Sequence, residues 1–285
     1  MLLRVPVSGR TASVVAAVVA LTLPGMSFAQ TTPSPQAPAA SAATAAAKPD
    51  PSLPSGRDVV DKFVKAIGGR EAVMSHKSMH VTGKYEVPSS GLSGDMEIFT
   101  AANPDRAFQR VTIPGVGEIL QGYDGQRGWS INPVTGPMLQ QGKELEQAKF
   151  DSDFYSELRD ARNYKSITTV ARTTCPGTRV ERVSEPRSCY KVSLLHPDGT
   201  EDFDFYDTET ALRVASVLTR ESPMGPIAST NVSGDYKKFG NLLQPTSLIA
   251  TVMGVDQKIT VTAIEYDAVP ASAFEPPASI KALIK

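Results

Sequence analysis

Acidic residues recur in close pairs along this chain: Asp95 with Glu97, and Asp202 with Asp204, next to Glu201. Two carboxyls two residues apart on a strand share a face. Such pairs can do general acid–base work where a cleft shifts their pKa values apart. The surrounding residues mark no cleft, so both pairs read as solvated faces of half-buried strands, with Phe203 and Phe205 pointing away from Asp202 and Asp204. A serine nucleophile would need a GxSxG elbow, and "SGLSGD" at 90–95 is instead a Gly/Ser turn. There is no P-loop, dinucleotide fingerprint or HExxH. The histidines are His76, His80 and His196. His80 begins a strand, so the four-residue spacing from His76 does not make a helical ligand pair. No catalytic residue, metal site or cofactor is expected.

The other reactive side chains are Cys175 and Cys189. The N-terminus determines their fate. Arg4 and Arg10 precede an apolar run from Val14 to Leu23, Pro24-Gly25 breaks it, and Ser27-Phe28-Ala29 supplies a cleavage site. Ten apolar residues are too few for a bilayer, which takes roughly 20. Residues 1–29 are therefore read as a cleaved secretory signal, and the mature protein as periplasmic and not membrane-spanning. Cysteines exported to an oxidising compartment are expected to pair, here as a disulfide Cys175–Cys189 stapling a polar loop. Removing residues 1–29 leaves 27 basic against 30 acidic residues, a net charge of −3. That balance offers no basic patch and argues against nucleic acid as a partner. Residues 30–55 are rich in Ala, Pro, Ser and Thr, with almost nothing to bury, and read as a disordered tether. Residues 56–285 remain as a single domain.

Hydrophobic periodicity supplies the elements of that domain. Ser55 caps a helix whose Val59, Val60, Phe63, Val64 and Ile67 form one apolar face, and Gly68-Gly69 ends it. The period then changes to two, in about a dozen short strands separated by turn signals. Among these is the hairpin "YDGQRGWSINP" around Asp124-Gly125. Residues 142–164 interrupt the strands with one or two amphipathic helices carrying Phe150, Phe154 and Leu158, and helices are expected only at the start and in the middle. So many antiparallel strands must curl. Alternation puts Tyr85, Met96, Ile98, Tyr123, Trp129 and Ile131 on one apolar face, with Tyr123 and Trp129 together in one hairpin. The first helix is too small to cover that face.

The order of these motifs resembles the periplasmic outer-membrane lipoprotein-sorting family, the LolA/LolB-like proteins. The likeness runs from the helix ending "KAIGG" through "MHVTGKYEV", "YDGQRGWSINP" and "GDYKKFGNLLQPTSL" to "ITVTAIEYDAVPASAFEPP", roughly Arg57 to Pro277. The resemblance implies a mainly β (α+β) fold: a curled antiparallel sheet forming a half-open β-barrel, with an N-terminal helix and a helical lid or plug. It implies an apolar cavity for acyl chains of lipoproteins or other lipids. The chain lacks the lipid-anchoring cysteine of the membrane-attached member, and its tether and cysteine pair go beyond a minimal carrier.

The expected function is thus a periplasmic, non-catalytic carrier of a lipid or acylated protein. Tyr85, Met96, Ile98, Tyr123, Trp129 and Ile131 are its pocket candidates, and Phe150, Phe154 and Leu158 its lid. The alternative is an envelope protein-interaction or sensor module on the same fold. A carrier should show a lined cavity, and a partner module a filled barrel with an exposed apolar patch.

Overall fold

The computed structural model describes residues 52–177, 187–222 and 225–284. The signal segment and most of the tether lie outside the described residues. The first helix, α1 (Gly56–Ala66), starts where its cap dictates: the Ser55 hydroxyl oxygen accepts from the Asp58 N–H at 3.0 Å. It stops at a pair of glycines, where the Gly69 N–H closes onto the Val64 carbonyl at 2.8 Å with Gly68 at φ 134°. A short α2 (Arg70–Ser75) follows.

Among the described residues, thirteen strands then form one antiparallel sheet. The first six are β1 (Ser78–Val87), β2 (Leu92–Ala101), β3 (Arg106–Ile113), β4 (Gly117–Tyr123), β5 (Gly128–Asn132) and β6 (Gly136–Leu139). The other seven are β7 (Ser166–Thr174), β8 (Ser188–Leu195), β9 (Glu201–Asp207), β10 (Arg213–Arg220), β11 (Ile227–Phe239), β12 (Leu242–Val252) and β13 (Val255–Tyr266). The spatial order is β6-β5-β4-β3-β2-β1-β13-β12-β11-β10-β9-β8-β7. Two meanders therefore meet at the β1–β13 pair, and β6 and β7 lie at the two open edges. The sheet is curled and unclosed, a half-open barrel.

This order fixes the path of residues 140–165. They join β6 to β7, strands at opposite edges, so they must cross a face of the sheet. They do so through α3 (Gly142–Asp151) and two single 3-10 turns at Ser156–Leu158 and Ala161–Asn163. The face they cross, which α1 also covers, is called inner here.

Two apolar clusters fill the inner face. One gathers Met79, Val81, Tyr85, Met96, Ile98, Val111, Ile119 and Ile259 around Phe154; the other gathers α1 with Leu158, Val192, Leu194 and Tyr206. Tyr155 and Tyr266 pack against both, so the inner core is continuous. The outer face carries two smaller clusters, one around Trp129 and one around the Cys175–Cys189 disulfide, which joins the end of β7 to β8.

Helices are not confined to the start and middle of the chain, as the sequence suggested. A 3-10 turn at Ala271–Phe274 and α4 (Ala278–Lys281) lay Phe274 and Ile280 against the outer aromatic cluster. Two anchors six residues apart leave no helical period to read. The short β6 was also not foreseen.

Candidate functional site

Cross-strand partners share a face, so the register locates every pocket candidate. Met96 faces Gly83 on one side and Val111 on the other, and Val111 faces Ile119. Ile98 faces Val81, and Tyr85 faces Ile259 on β13. All belong to the inner cluster around Phe154. Tyr123 is on the same inner face, opposite Ala107, and its hydroxyl donates to the Gly125 carbonyl at 3.0 Å.

Trp129 and Ile131 are not. Trp129 pairs with Gly122 and Ile131 with Leu120, and both belong to the outer cluster with Phe99, Phe108, Phe274 and Ile280. The expected sharing of a face by Tyr123 and Trp129 is therefore corrected. Tyr123 pairs with Gly128, leaving four residues in the loop. An even-numbered loop joins odd positions to even ones, so two odd-numbered residues on either side point to opposite faces. Trp129 is 1% exposed and lies over Gly122, where an added Cβ would sit 2.4 Å from the indole.

The helical insert is held on the inner face by charge. Arg159, in the left-handed region at φ 44°, places its Nε 2.8 Å from the Asp204 carboxylate, which also accepts from the Tyr206 hydroxyl at 2.9 Å. Asp204 is 0% exposed. Burial pushes the Asp204 carboxyl up, but the Arg159 and Arg213 guanidiniums outweigh it and hold it at about 2. Glu157 pairs with Arg213 at 2.7 Å. Arg220 bridges Asp151 of α3 (3.1 Å) and Asp202 (2.9 Å), and Asp202 also meets His196 Nε2 at 3.0 Å. From α1, Arg57 donates to the carbonyls of Arg159 (2.8 Å) and Leu158 (3.1 Å).

Asp202 and Asp204 are thus not a solvated face. Their strand turns them inward beside Val192 and Leu194, and turns Phe203 and Phe205 outward toward the disulfide cluster. Alternation reveals two faces but not which one is inside. The arginines that make an aspartate-bearing face tolerable as an interior lie 9 to 45 residues away along the chain. Asp95 and Glu97 do sit on the outer face, where Lys84 pairs with Asp95 and Arg110 with Glu97.

The three lid candidates act at different places. Phe154 is 2% exposed and completes the apolar cluster of β1–β4. Leu158 completes the cluster under α1. Phe150 is half-buried, edge-on against Tyr164 and His196. Beside Phe154, burial and the neighbouring Asp153 carboxylate push the Asp105 carboxyl up to about 6, against the pull of the Phe154 N–H bonded to it. A groove of about 540 Å³, lined by Ser52, Leu53, Val170, Ala171, Arg172 and Tyr190, opens at the β7 edge and shares no residue with the Phe154 cluster. The arrangement is an apolar face roofed by a crossing segment that buried ion pairs fix in place. The residues that fix it, Asp151, Glu157, Arg159, Arg213 and Arg220, form no local motif.

No family model matches the sequence, and no curated protein is similar to it in sequence. Solved structures are similar in fold. A DUF1329 family protein from Desulfovibrio piger superposes with a TM-score of 0.50 at 11% identity, over 77% of this chain and 95% of that one. A putative outer membrane lipoprotein-sorting protein domain from Vibrio parahaemolyticus gives 0.50 at 10% identity, over 77% and 95%. A LolA superfamily protein from Nitrosomonas europaea gives 0.49 at 11%, over 79% and 99%. Those at a TM-score of 0.50 show the fold alone: the chain has the fold of the DUF1329 family protein and of the lipoprotein-sorting protein domain.

Proposed function

We propose that this protein is a periplasmic, non-catalytic carrier of a lipid or lipid-modified ligand, whose acyl chain takes the place of Phe154 on the inner face. Tyr85, Met96, Ile98 and Tyr123 would face the chain, with Phe154 and Leu158 as the displaced cover. Trp129 and Ile131, on the outer face, would not touch it. The observation that carries this reading is that the inner apolar face is roofed by a segment crossing between the two sheet edges rather than by the sheet itself.

Magnitudes favour exchange. Burying one large side chain such as Phe154 contributes about 1.5–3 kcal/mol. A C16 chain gains on the order of 10 kcal/mol from its methylenes before binding entropy is subtracted. Buried ion pairs roughly balance Coulomb attraction against desolvation, so they fix the position of the cover without adding much to the cost of lifting it. Export is supported by the N-terminal signal pattern. Among the described residues, no helix is long and apolar enough to cross a membrane.

One observation favours the protein-interaction alternative: Phe154 and Tyr155 already pack the inner face in this state. Mass spectrometry of the exported, disulfide-intact protein before and after solvent extraction, followed by titration with a neutral pyrene-labelled alkyl chain, separates the two. Saturable one-to-one uptake supports the carrier. A clean apo mass with no uptake, in both the wild type and Phe154→Ala, supports the interaction module.

A further inference from the structure

The inner face is not uniformly apolar, and its gradient can be read row by row across the strands. One row, Gly83–Met96–Val111–Ile119, is entirely aliphatic. The next begins with Val81 and Ile98 and then becomes Gln109, Gln121 and Ser130. The last begins with Met79 and continues through Thr100, Ala107 and Tyr123 to Gly128. Over Gly128 stands Gln140, its Oε1 2.1 Å from where a Cβ would be, with Ala148 of α3 beside it. The face thus has an aliphatic bulk and a polar corner on β2–β5 beneath α3.

In this corner three buried oxygens have no hydrogen-bond partner: Thr100 Oγ1, Gln109 Oε1 and Gln140 Oε1. Thr100 and Gln109 are 9% and 7% exposed. Leaving such atoms unpaired is costly, and the two amide oxygens can only accept. The roof above them, α3, has no fully buried residue and is tied down by the Asp151–Arg220 pair at its last residue.

We infer that the corner receives the head of the ligand, and that this head is neutral and carries hydroxyl or amide donors, as on an acylglycerol or acyl amide, while its chain lies along Met96, Val111 and Ile119. The inference rests on the carrier reading and orients the ligand within it. Donors on the head satisfy the waiting acceptors. An ionised carboxylate has no donor to offer, and it would also meet the charge of Asp105, which acts on the Tyr123 hydroxyl at the end of the last row.

Displacement of the neutral pyrene-labelled alkyl chain at pH 8 tests this with four C16 competitors: monopalmitoylglycerol, palmitamide, methyl palmitate and palmitate. The first two are expected to compete at least tenfold more tightly than methyl palmitate, which has no donor, and than palmitate, which is charged. The better of the two tells a glycerol head from an amide one. Gln109→Met and, separately, Thr100→Val should shrink the preference over methyl palmitate to under threefold. Equal competition by all four overturns the polar corner and leaves the carrier standing. Failure of every competitor, with no uptake of the probe itself, overturns the carrier and the corner with it.

Discussion

Trp129, the largest buried side chain, and Asp105, a strained acid, are tied to different parts of the molecule. Trp129 packs on Phe108 at 5.7 Å between ring centres, under Phe274 and Ile280. Trp129→Ala should therefore cost about 3–5 kcal/mol in chemical unfolding and leave probe affinity of the folded fraction within twofold. A tenfold loss of affinity would put the indole at the ligand after all. Asp105 behaves differently. Its carboxyl meets Asp153 and the Phe154 N–H from the insert, and its charge also acts on the Tyr123 and Tyr155 hydroxyls. In the folded protein it is raised from 3.8 to about 6. Stability from this group is thus complete below the unfolded value and is lost as pH rises through about 6. Asp105→Asn keeps an acceptor for the Phe154 N–H and removes the charge. Its Tm should exceed the wild-type value at pH 8, by roughly 2–4 °C per kcal/mol relieved in a domain of this size, and match it at pH 4. A lower Tm at pH 8 would mean the carboxylate is stabilising. The residue types at these positions were plain in the sequence. Their environments were not, because Asp105 is perturbed by Asp153, 48 residues on, and Trp129 is covered by residues from the far C-terminus.

The insert between β6 and β7 is the element on which the proposed carrier function turns. Its anchors, Asp151–Arg220, Glu157–Arg213 and Arg159–Asp204, all tie it to β9 and β10. Removing one member of a buried pair strands the other, at a cost of about 3–5 kcal/mol. Asp204→Asn should therefore destabilise the protein and speed amide exchange across 150–164 more than across β1–β3. The double variant Arg159→Met with Asp204→Leu should recover most of the stability, since apolar replacements of a buried pair are often neutral or better. Unchanged exchange in Asp204→Asn would show that apolar packing alone holds the insert. The sign with acid follows from Asp204: held at about 2, its contribution is present above the ordinary value of 3.8 and is lost as pH falls through about 2. An amphipathic stretch near 142–164 was legible from Phe150, Phe154 and Leu158 on a charged background. That its charges point inward was not. Amphipathicity assigns charge to solvent by default, and only partners on other strands reverse that assignment.

At the scale of the whole molecule, α1 with its Ser55 cap and glycine stop, twelve of the strands, the curl of the sheet and the pairing of Cys175 with Cys189 follow from the sequence alone. The helix and the strands rest on local signals, namely a period, a cap or a turn, that act within a few residues; the curl follows from the number of strands, and the pairing from two cysteines in a chain with an export signal pattern. Tertiary structure alone decided three things. Placing β6 and β7 at opposite edges forced their connection over the inner face and made it a cover. The four-residue loop after Tyr123 sent Trp129 to the outer face. Arg159, Arg213 and Arg220, brought together from distant segments, made the Asp202 and Asp204 face an interior. Alternation divides a strand into two faces, but which face is buried is set by loop lengths and by what packs against it, and the packing partners lie nine or more residues away along the chain.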